Sequence, residues 1–241
     1  MPAEARYAIY FAPQEDSAFA MAGSRWLGRD AIGDTPLAQP KCPGLTSARL
    51  AELTGSARRY GFHATLKPPF HLRDERALPD LRRAIAALAT RQQAFSFHVQ
   101  VASLSGFLAW LPTAEVDAIE AVARACVTEL DDFRQAPTVA ELVRRQSVGL
   151  NKTQEALLLR WGYPYVLEEF RFHMTLTDTV SGAEARALLA ALEAGAAGHA
   201  LEAIPFDSLC LFGEPAPGAN FRMISRYGFD GSVKHYPGWH E

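Results

Sequence analysis

The chain has 241 residues, 49% of them hydrophobic and 21% charged, with a formal charge of −3. At this length a sizeable core forms without disulfide or metal staples, and a weakly acidic balance argues against the broad positive surface that sequence-independent nucleic-acid binding requires. Cys42, Cys126 and Cys210 are odd in number and far apart, with no Cys-x-x-Cys, so neither a disulfide framework nor a thiolate zinc site is expected; buried thiols in a reducing cytoplasm fit best.

The first residues contain no basic segment followed by an apolar run, and no stretch approaches the roughly 18 apolar residues of a membrane span. The expectation is a cytoplasmic protein that does not enter a membrane. Residues 6–11, rich in Tyr and Ile, predict a short buried strand ending at Pro13. Residues 14–27 predict a helix with Phe19, Ala22, Trp26 and Leu27 near one face. Glycines, prolines and weak periodicity from Gly28 to Gly44 predict a long loop, and residues 46–53 a short helix.

Residues 59–67, Arg-Tyr-Gly-Phe-His-Ala-Thr-Leu-Lys, alternate as a strand. Tyr60, Phe62, Ala64 and Leu66 then share one side, and Arg59, His63, Thr65 and Lys67 the other. Pro68-Pro69 predicts an edge position or a bend beyond Lys67. A helix over 79–89 carries Leu81, Ile85 and Leu88 inward, and a strand over 95–101 leaves His98 on its solvated face. Residues 103–111 continue the sheet, with Gly106 at a turn or bulge. From Thr113 an amphipathic helix runs to Phe133, and Thr138 with Glu141 has capping-box form. A further helix covers 153–161; Arg144 and Arg145 are available for phosphate or simply solvated.

Residues 169–177, Glu-Phe-Arg-Phe-His-Met-Thr-Leu-Thr, repeat the pattern, with Phe170, Phe172, Met174 and Leu176 inward and Arg171, His173, Thr175 and Thr177 outward. On a strand, residues i and i+2 lie roughly 6.6 to 7 Å apart, so both side chains reach one phosphate-sized group. Histidine exchanges a proton near neutral pH, and a threonine hydroxyl donates to an anionic oxygen. Ser181 and Glu184 form another capping box, opening an Ala- and Leu-rich helix that ends near Gly195 or Gly198. Strands over 201–212 and 221–229 follow, joined by the turn 213–218, and the tail from Lys234 is expected to be partly loose. His71, His199, His235 and His240 have no partner at ligand spacing and are expected at the surface.

Strand, helix and strands follow each histidine, which predicts a duplication. The expected fold is α+β: a single domain over 1–241 with two pseudo-symmetric lobes, each a largely antiparallel sheet with helices outside, around a central cleft. The lobes cover about 46–111 and 168–230, with a helical connection over about 113–164.

The segments Phe62-His63-Ala64-Thr65-Leu66 and Phe172-His173-Met174-Thr175-Leu176 resemble the signature of the two-histidine (2H) phosphoesterase superfamily. The gap between them and the flanking Trp161-Gly162-Tyr163-Pro164-Tyr165 are similar to a bacterial branch associated with phosphonate metabolism (carbon–phosphorus lyase) genes. The similarity extends over nearly the whole chain. It implies a metal-independent, cofactor-free cyclic phosphodiesterase, a phosphoric diester hydrolase acting on a small sugar or nucleoside cyclic phosphate, and a monomer. One histidine serves as acid and the other as base, the analogy favouring His63 as acid and His173 as base. Thr65 and Thr175 bind non-bridging oxygens, and Lys67 or Arg171 offsets the charge.

No His-Glu-x-x-His, Asp-rich loop or Gly-rich phosphate cradle is present. Tyr60, Tyr163 and Tyr165 are candidates to stack on a base or sugar, or to pack. Arg226, on one face with Arg222, is a candidate for a distal phosphate. Within the resemblance, the substrate is a phosphoribosyl 1,2-cyclic phosphate or, alternatively, a 2′,3′-cyclic phosphate at an RNA end; the weak net charge favours a small phosphorylated molecule over nucleic acid. A non-catalytic sensor of a phosphorylated metabolite is the reading from a different class.

Overall fold

A computed structural model describes residues 5–147, 149–196 and 203–239. Gly198, His199, Leu201 and His240, named above, lie outside the described residues. The first half comprises β1 (Arg6–Phe11), α1 (Ala18–Leu27), the hairpin strands β2 (Arg29–Asp30) and β3 (Thr35–Pro36), α2 (Ser47–Leu53), α3 (Gly55–Tyr60), β4 (Ala64–His71) and α4 (Leu78–Ala89). Then come β5 (Phe95–Phe97), β6 (Val99–Leu104), β7 (Phe107–Pro112), α5 (Val116–Glu129), α6 (Val139–Gln146) and α7 (Lys152–Trp161). The last elements are β8 (Met174–Thr175), α8 (Gly182–Ala196), β9 (Ile204–Phe206), β10 (Ser208–Glu214), β11 (Arg222–Gly228) and β12 (Val233–His235).

Local chemistry sets many of these boundaries. The Ser17 hydroxyl accepts from the Ala20 amide to start α1, and Gly28, at φ 82°, ends it in the left-handed conformation that glycine adopts without a Cβ penalty. Thr138 and Glu141 cap α6 reciprocally, and Asn151 and Gln154 do the same for α7.

The architecture is α+β, dominated by one antiparallel sheet of eight strands in the order β12-β11-β10-β1-β4-β8-β7-β6. β5 leaves this sheet to pair with β9, and the chain crosses between the two pairings at the exposed His98. Tyr7, Ile9, Phe11, Ala64, Met174, Leu209 and Leu211 belong to the main core, with α4 packed on β10 and β11, α5 on β4 and α8 on β6. Alternate residues of β1 and β10, namely Ala8, Tyr10, Cys210 and Phe212, build a smaller core with Phe221 and Met223 on the opposite face. That second face carries the candidate site.

The structure departs from the sequence expectations at three places that matter for this face. Residues 59 and 60 end a helix instead of opening a strand: the buried Arg29 guanidinium donates to the carbonyls of Arg58, Arg59 and Phe221, at 2.8, 2.9 and 2.9 Å, and so satisfies the end of α3. The second motif is strand only at Met174–Thr175, after a 3₁₀ turn at Leu167–Glu169. The tail is tied down, because β12 pairs with β11 and the Tyr236 hydroxyl donates to Glu15 at 2.7 Å. Among the described residues no helix is long and apolar enough to cross a membrane.

Candidate functional site

β4 and β8 are neighbours in the sheet, and their antiparallel register sets Ala64 opposite Met174. Continued by one residue either way, that register sets His63 across from Thr175 and Thr65 across from His173. Side chains directly opposite on antiparallel strands have Cβ atoms about 4.5–5.5 Å apart, and diagonal ones about 7–8 Å. The two imidazoles are the diagonal pair, and the four side chains share one face of the sheet. Ala64 and Met174, fully buried between them, face the main core.

Both rings are held in the same way. His63 Nδ1 donates to the Gly61 carbonyl at 2.9 Å, and His173 Nδ1 donates to the Arg171 carbonyl at 2.7 Å. A carbonyl only accepts, so Nδ1 carries the proton and each neutral ring presents the Nε2 lone pair. At His63 that lone pair lies 3.2 Å from Thr65 Oγ1, which donates to it. Gly61 is required for this geometry: its φ is +84°, and a Cβ there would lie 2.5 Å from that of Ala31.

Burial disfavours the charged imidazolium. The His63 pKa falls from its ordinary 6.5 to about 4, chiefly through desolvation, with the charges of His173 and Arg29 adding to it and the Gly61 carbonyl opposing. The His173 pKa is lowered as well, by burial, against the opposing hydrogen bond to Arg171. Tyr10 accounts for much of the enclosure, its ring stacked on His63 with centroids 3.8 Å apart; Phe107 lies 5.5 Å from His173. At neutral pH the site is a pair of uncharged proton acceptors flanked by hydroxyls.

A cavity of about 500 Å³ opens beside them, lined by Thr65, His173, Arg171, Phe107, Tyr163 and Tyr165. Arg171 is exposed and faces this space. Tyr60 flanks His63 at 6.1 Å and packs on Phe221 at 5.0 Å.

Two of the candidate residues are directed elsewhere. Between β1 and β4 the register runs Tyr10 with Thr65 but Ile9 with Lys67, so β4 gains an extra residue, a β-bulge, at Leu66. The bulge turns Lys67 to the main-core face, where its ammonium donates to the Val127 carbonyl at 3.0 Å and pairs with Asp131 at 3.5 Å. Strand alternation alone put Lys67 beside His63, and the bulge is why it is not there. A second register shift follows before Phe70, spanning Pro68-Pro69, so the prolines sit in an irregular stretch of a central strand, not at an edge. Arg226 is buried and committed to backbone, with Nη1 donating to the Ala12 carbonyl at 2.9 Å and Nη2 to the Pro13 carbonyl at 2.8 Å. It anchors the segment after β1.

Sequence reasoning missed Tyr10 and Arg29. Each looks ordinary in the sequence, an aromatic in an apolar strand and an arginine in a loop; only the fold brings them to His63.

The sequence profile of a family described as a protein of unknown function, DUF1045, matches residues 65–222. Two curated relatives carry the name ribose 1,5-bisphosphate phosphokinase PhnN. The one from Janthinobacterium sp. (strain Marseille) is 42% identical over 231 residues, covering 94% of this chain and 51% of the relative. The one from Laribacter hongkongensis (strain HLHK9) is 36% identical over 218 residues, covering 90% of this chain and 50% of the relative. The chain thus spans about half the length of the curated relatives it matches. These names correct the expected chemistry: the relatives are named as phosphokinases, which transfer a phosphoryl group, and the expectation of a cyclic phosphodiesterase, a phosphoric diester hydrolase, is overturned.

Proposed function

The chain belongs to the DUF1045 family, and on that premise we propose that it is a phosphorylated-ribose-binding module of phosphonate metabolism, holding a phosphate group between its two His-x-Thr pairs. One observation carries this reading: the register of Ala64 with Met174 puts two histidines, with identically fixed tautomers, and two threonines on one face of neighbouring strands. The ligand class follows from the relatives, whose printed name specifies a phosphorylated ribose. The gathered pairs also support a two-lobed architecture of the two-histidine superfamily, in which β4, on the side of β1, β10 and β11, and β8, on the side of β7 and β6, meet in the middle of the sheet. The buried, unpaired Cys42, Cys126 and Cys210 support a reducing compartment.

In this reading the Thr65 and Thr175 hydroxyls donate to phosphate oxygens, and the Nε2 atoms of His63 and His173, once protonated, donate to them as well. An arriving dianion favours the protonated imidazole, so binding takes up a proton and tightens as pH falls. Arg171 supplies a mobile positive charge at the mouth. The phosphoryl donor of a kinase needs its own cradle, and the sequence contains no Gly-x-x-x-x-Gly-Lys-Ser/Thr segment. In this reading the module holds the sugar phosphate.

Isothermal titration calorimetry with ribose 1,5-bisphosphate and ribose 5-phosphate tests the reading. Wild type is expected to bind, and His63→Ala or His173→Ala to weaken binding by about tenfold or more, the worth of about 1.5–3 kcal/mol for a hydrogen bond to a charged group. Equal affinities in wild type and both variants would refute it.

A further inference from the structure

A second basic cavity lies farther along the same sheet face. It measures about 440 Å³, and Arg6, His71, Arg134 and Arg145 contribute to its wall. The register of β1 with β4 sets Arg6 opposite His71, and Arg6 alternates onto the Tyr10 face. After the two shifts in β4, His71 returns to the face that carries Thr65. Tyr10 and Arg6 are four residues apart, about 13 Å of strand, and the long arginine side chains shorten that gap from both sides. Tyr163 lines the histidine cavity and carries the Arg145 guanidinium on its ring, 4.8 Å from the centroid. Arg145, resting on that ring, lines the second cavity.

The charges here are incompletely matched. Arg145 is half-buried, and its guanidinium makes no hydrogen bond or ion pair among the described residues. Its neighbours include two more cations, Arg144 and Arg6. Arg6 shares the buried Glu214 with Arg59. The carboxylate that attracts Arg145, on Glu141, lines the same cavity, and its Oε2 accepts from the Thr138 amide at 2.8 Å and hydroxyl at 3.0 Å. Arg134 is already paired with Asp131. A desolvated guanidinium without a direct ion pair is costly, and a planar fork resting on an aromatic ring suits bidentate phosphate binding.

Resting on the proposed binding of a phosphorylated ribose by the His-x-Thr pairs, we propose that Arg145, with Arg6 and His71, forms a second phosphate subsite, so that the ligand is a sugar carrying two phosphate groups. The histidine end binds one phosphate and the arginine end the other, with the ribose lying along Tyr163. Selectivity for a bisphosphate over a monophosphate then resides in Arg145.

Calorimetric titration of wild type, Arg145→Gln, Arg145→Lys and His173→Ala with ribose 1,5-bisphosphate and ribose 5-phosphate decides the matter, each variant being checked for an unchanged thermal melt. The bisphosphate should bind wild type at least tenfold more tightly than the monophosphate. Arg145→Gln should erase most of that preference, and Arg145→Lys should restore part of it. If Arg145→Gln keeps the full preference while His173→Ala weakens both ligands, the second subsite is wrong and the histidine site stands. If Arg145→Gln weakens the bisphosphate while His173→Ala changes nothing, the arginine site stands and the histidine reading falls. No binding of either sugar to wild type overturns both.

Discussion

The two motif-bearing segments share a sequence pattern and a hydrogen bond yet differ in enclosure. His63 precedes the eight-residue strand β4, which is flanked by β1 and β8 in the middle of the sheet, and its ring lies against Tyr10. His173 precedes a strand of two residues and opens onto the cavity with Arg171. The carbonyl two residues back fixes both tautomers, so the motif itself sets ring orientation. Tertiary neighbours set the proton affinity, and they act more strongly on His63. A repeated motif therefore yields one rigid, deeply neutral imidazole and one more accessible imidazole.

The largest expected effect comes from removing the ring behind His63. Tyr10→Ala should cost about 3–5 kcal/mol in urea denaturation, as for other buried aromatics truncated to alanine, while Phe107→Ala beside His173 should cost less than half as much because Phe107 is only half-buried. Equal losses would erase the contrast between the two halves.

The pH dependence of stability comes next. Below pH 6.5 the unfolded chain binds a proton at His63 that the folded chain refuses until about pH 4, so stability declines across that window as pH falls. The shift corresponds to about 3 kcal/mol, fully present as stability above pH 6.5. His63→Gln should flatten the decline more than His173→Gln does, measured by denaturation between pH 4 and 7. The reverse ranking would mean that His173 is the more enclosed ring.

A smaller effect tests the symmetry of the hydroxyls. Thr65→Val and Thr175→Val should each weaken phosphorylated-ribose binding by about 0.5–1.5 kcal/mol, a few-fold in affinity, in calorimetry. If only one does so, the phosphate sits against one segment. Lys67→Met should have the least effect on the site, with unchanged ligand affinity and a stability loss of about 1 kcal/mol, because Asp131 keeps its contact with Arg134 at 2.8 Å. A tenfold affinity loss would return Lys67 to the binding face.

Elements with their own start and stop signals were legible in the sequence. The Thr138 capping box, the strand over 6–11 and the helices now defined as α4 and α5 appear close to where period and capping residues put them. So was the pairing of each histidine with the threonine two residues on, since a strand's alternation needs no distant partner. What failed depends on partners far away in sequence. The Leu66 bulge exists only in the register with β1, and α3 is closed by Arg29, 29 and 30 residues from the carbonyls it binds. The Arg226 guanidinium finds its carbonyls more than 200 residues away. Alternation could place that side chain on a face but could not tell that backbone had already claimed it. Enclosure of His63 by Tyr10 has the same origin. The chemistry expected from the two-histidine resemblance was corrected by the relatives' names, which no local pattern in this chain encodes.

The central claim is that His63 and His173 act on one ligand. Its most direct test is a nuclear magnetic resonance titration of the ring nitrogens of ¹⁵N-histidine-labelled protein with ribose 1,5-bisphosphate, assigned with His63→Gln and His173→Gln. The account predicts that both Nε2 signals move together along one binding curve and that both pKa values rise in the complex. Movement of one ring alone, or of neither at saturating ligand, would contradict it.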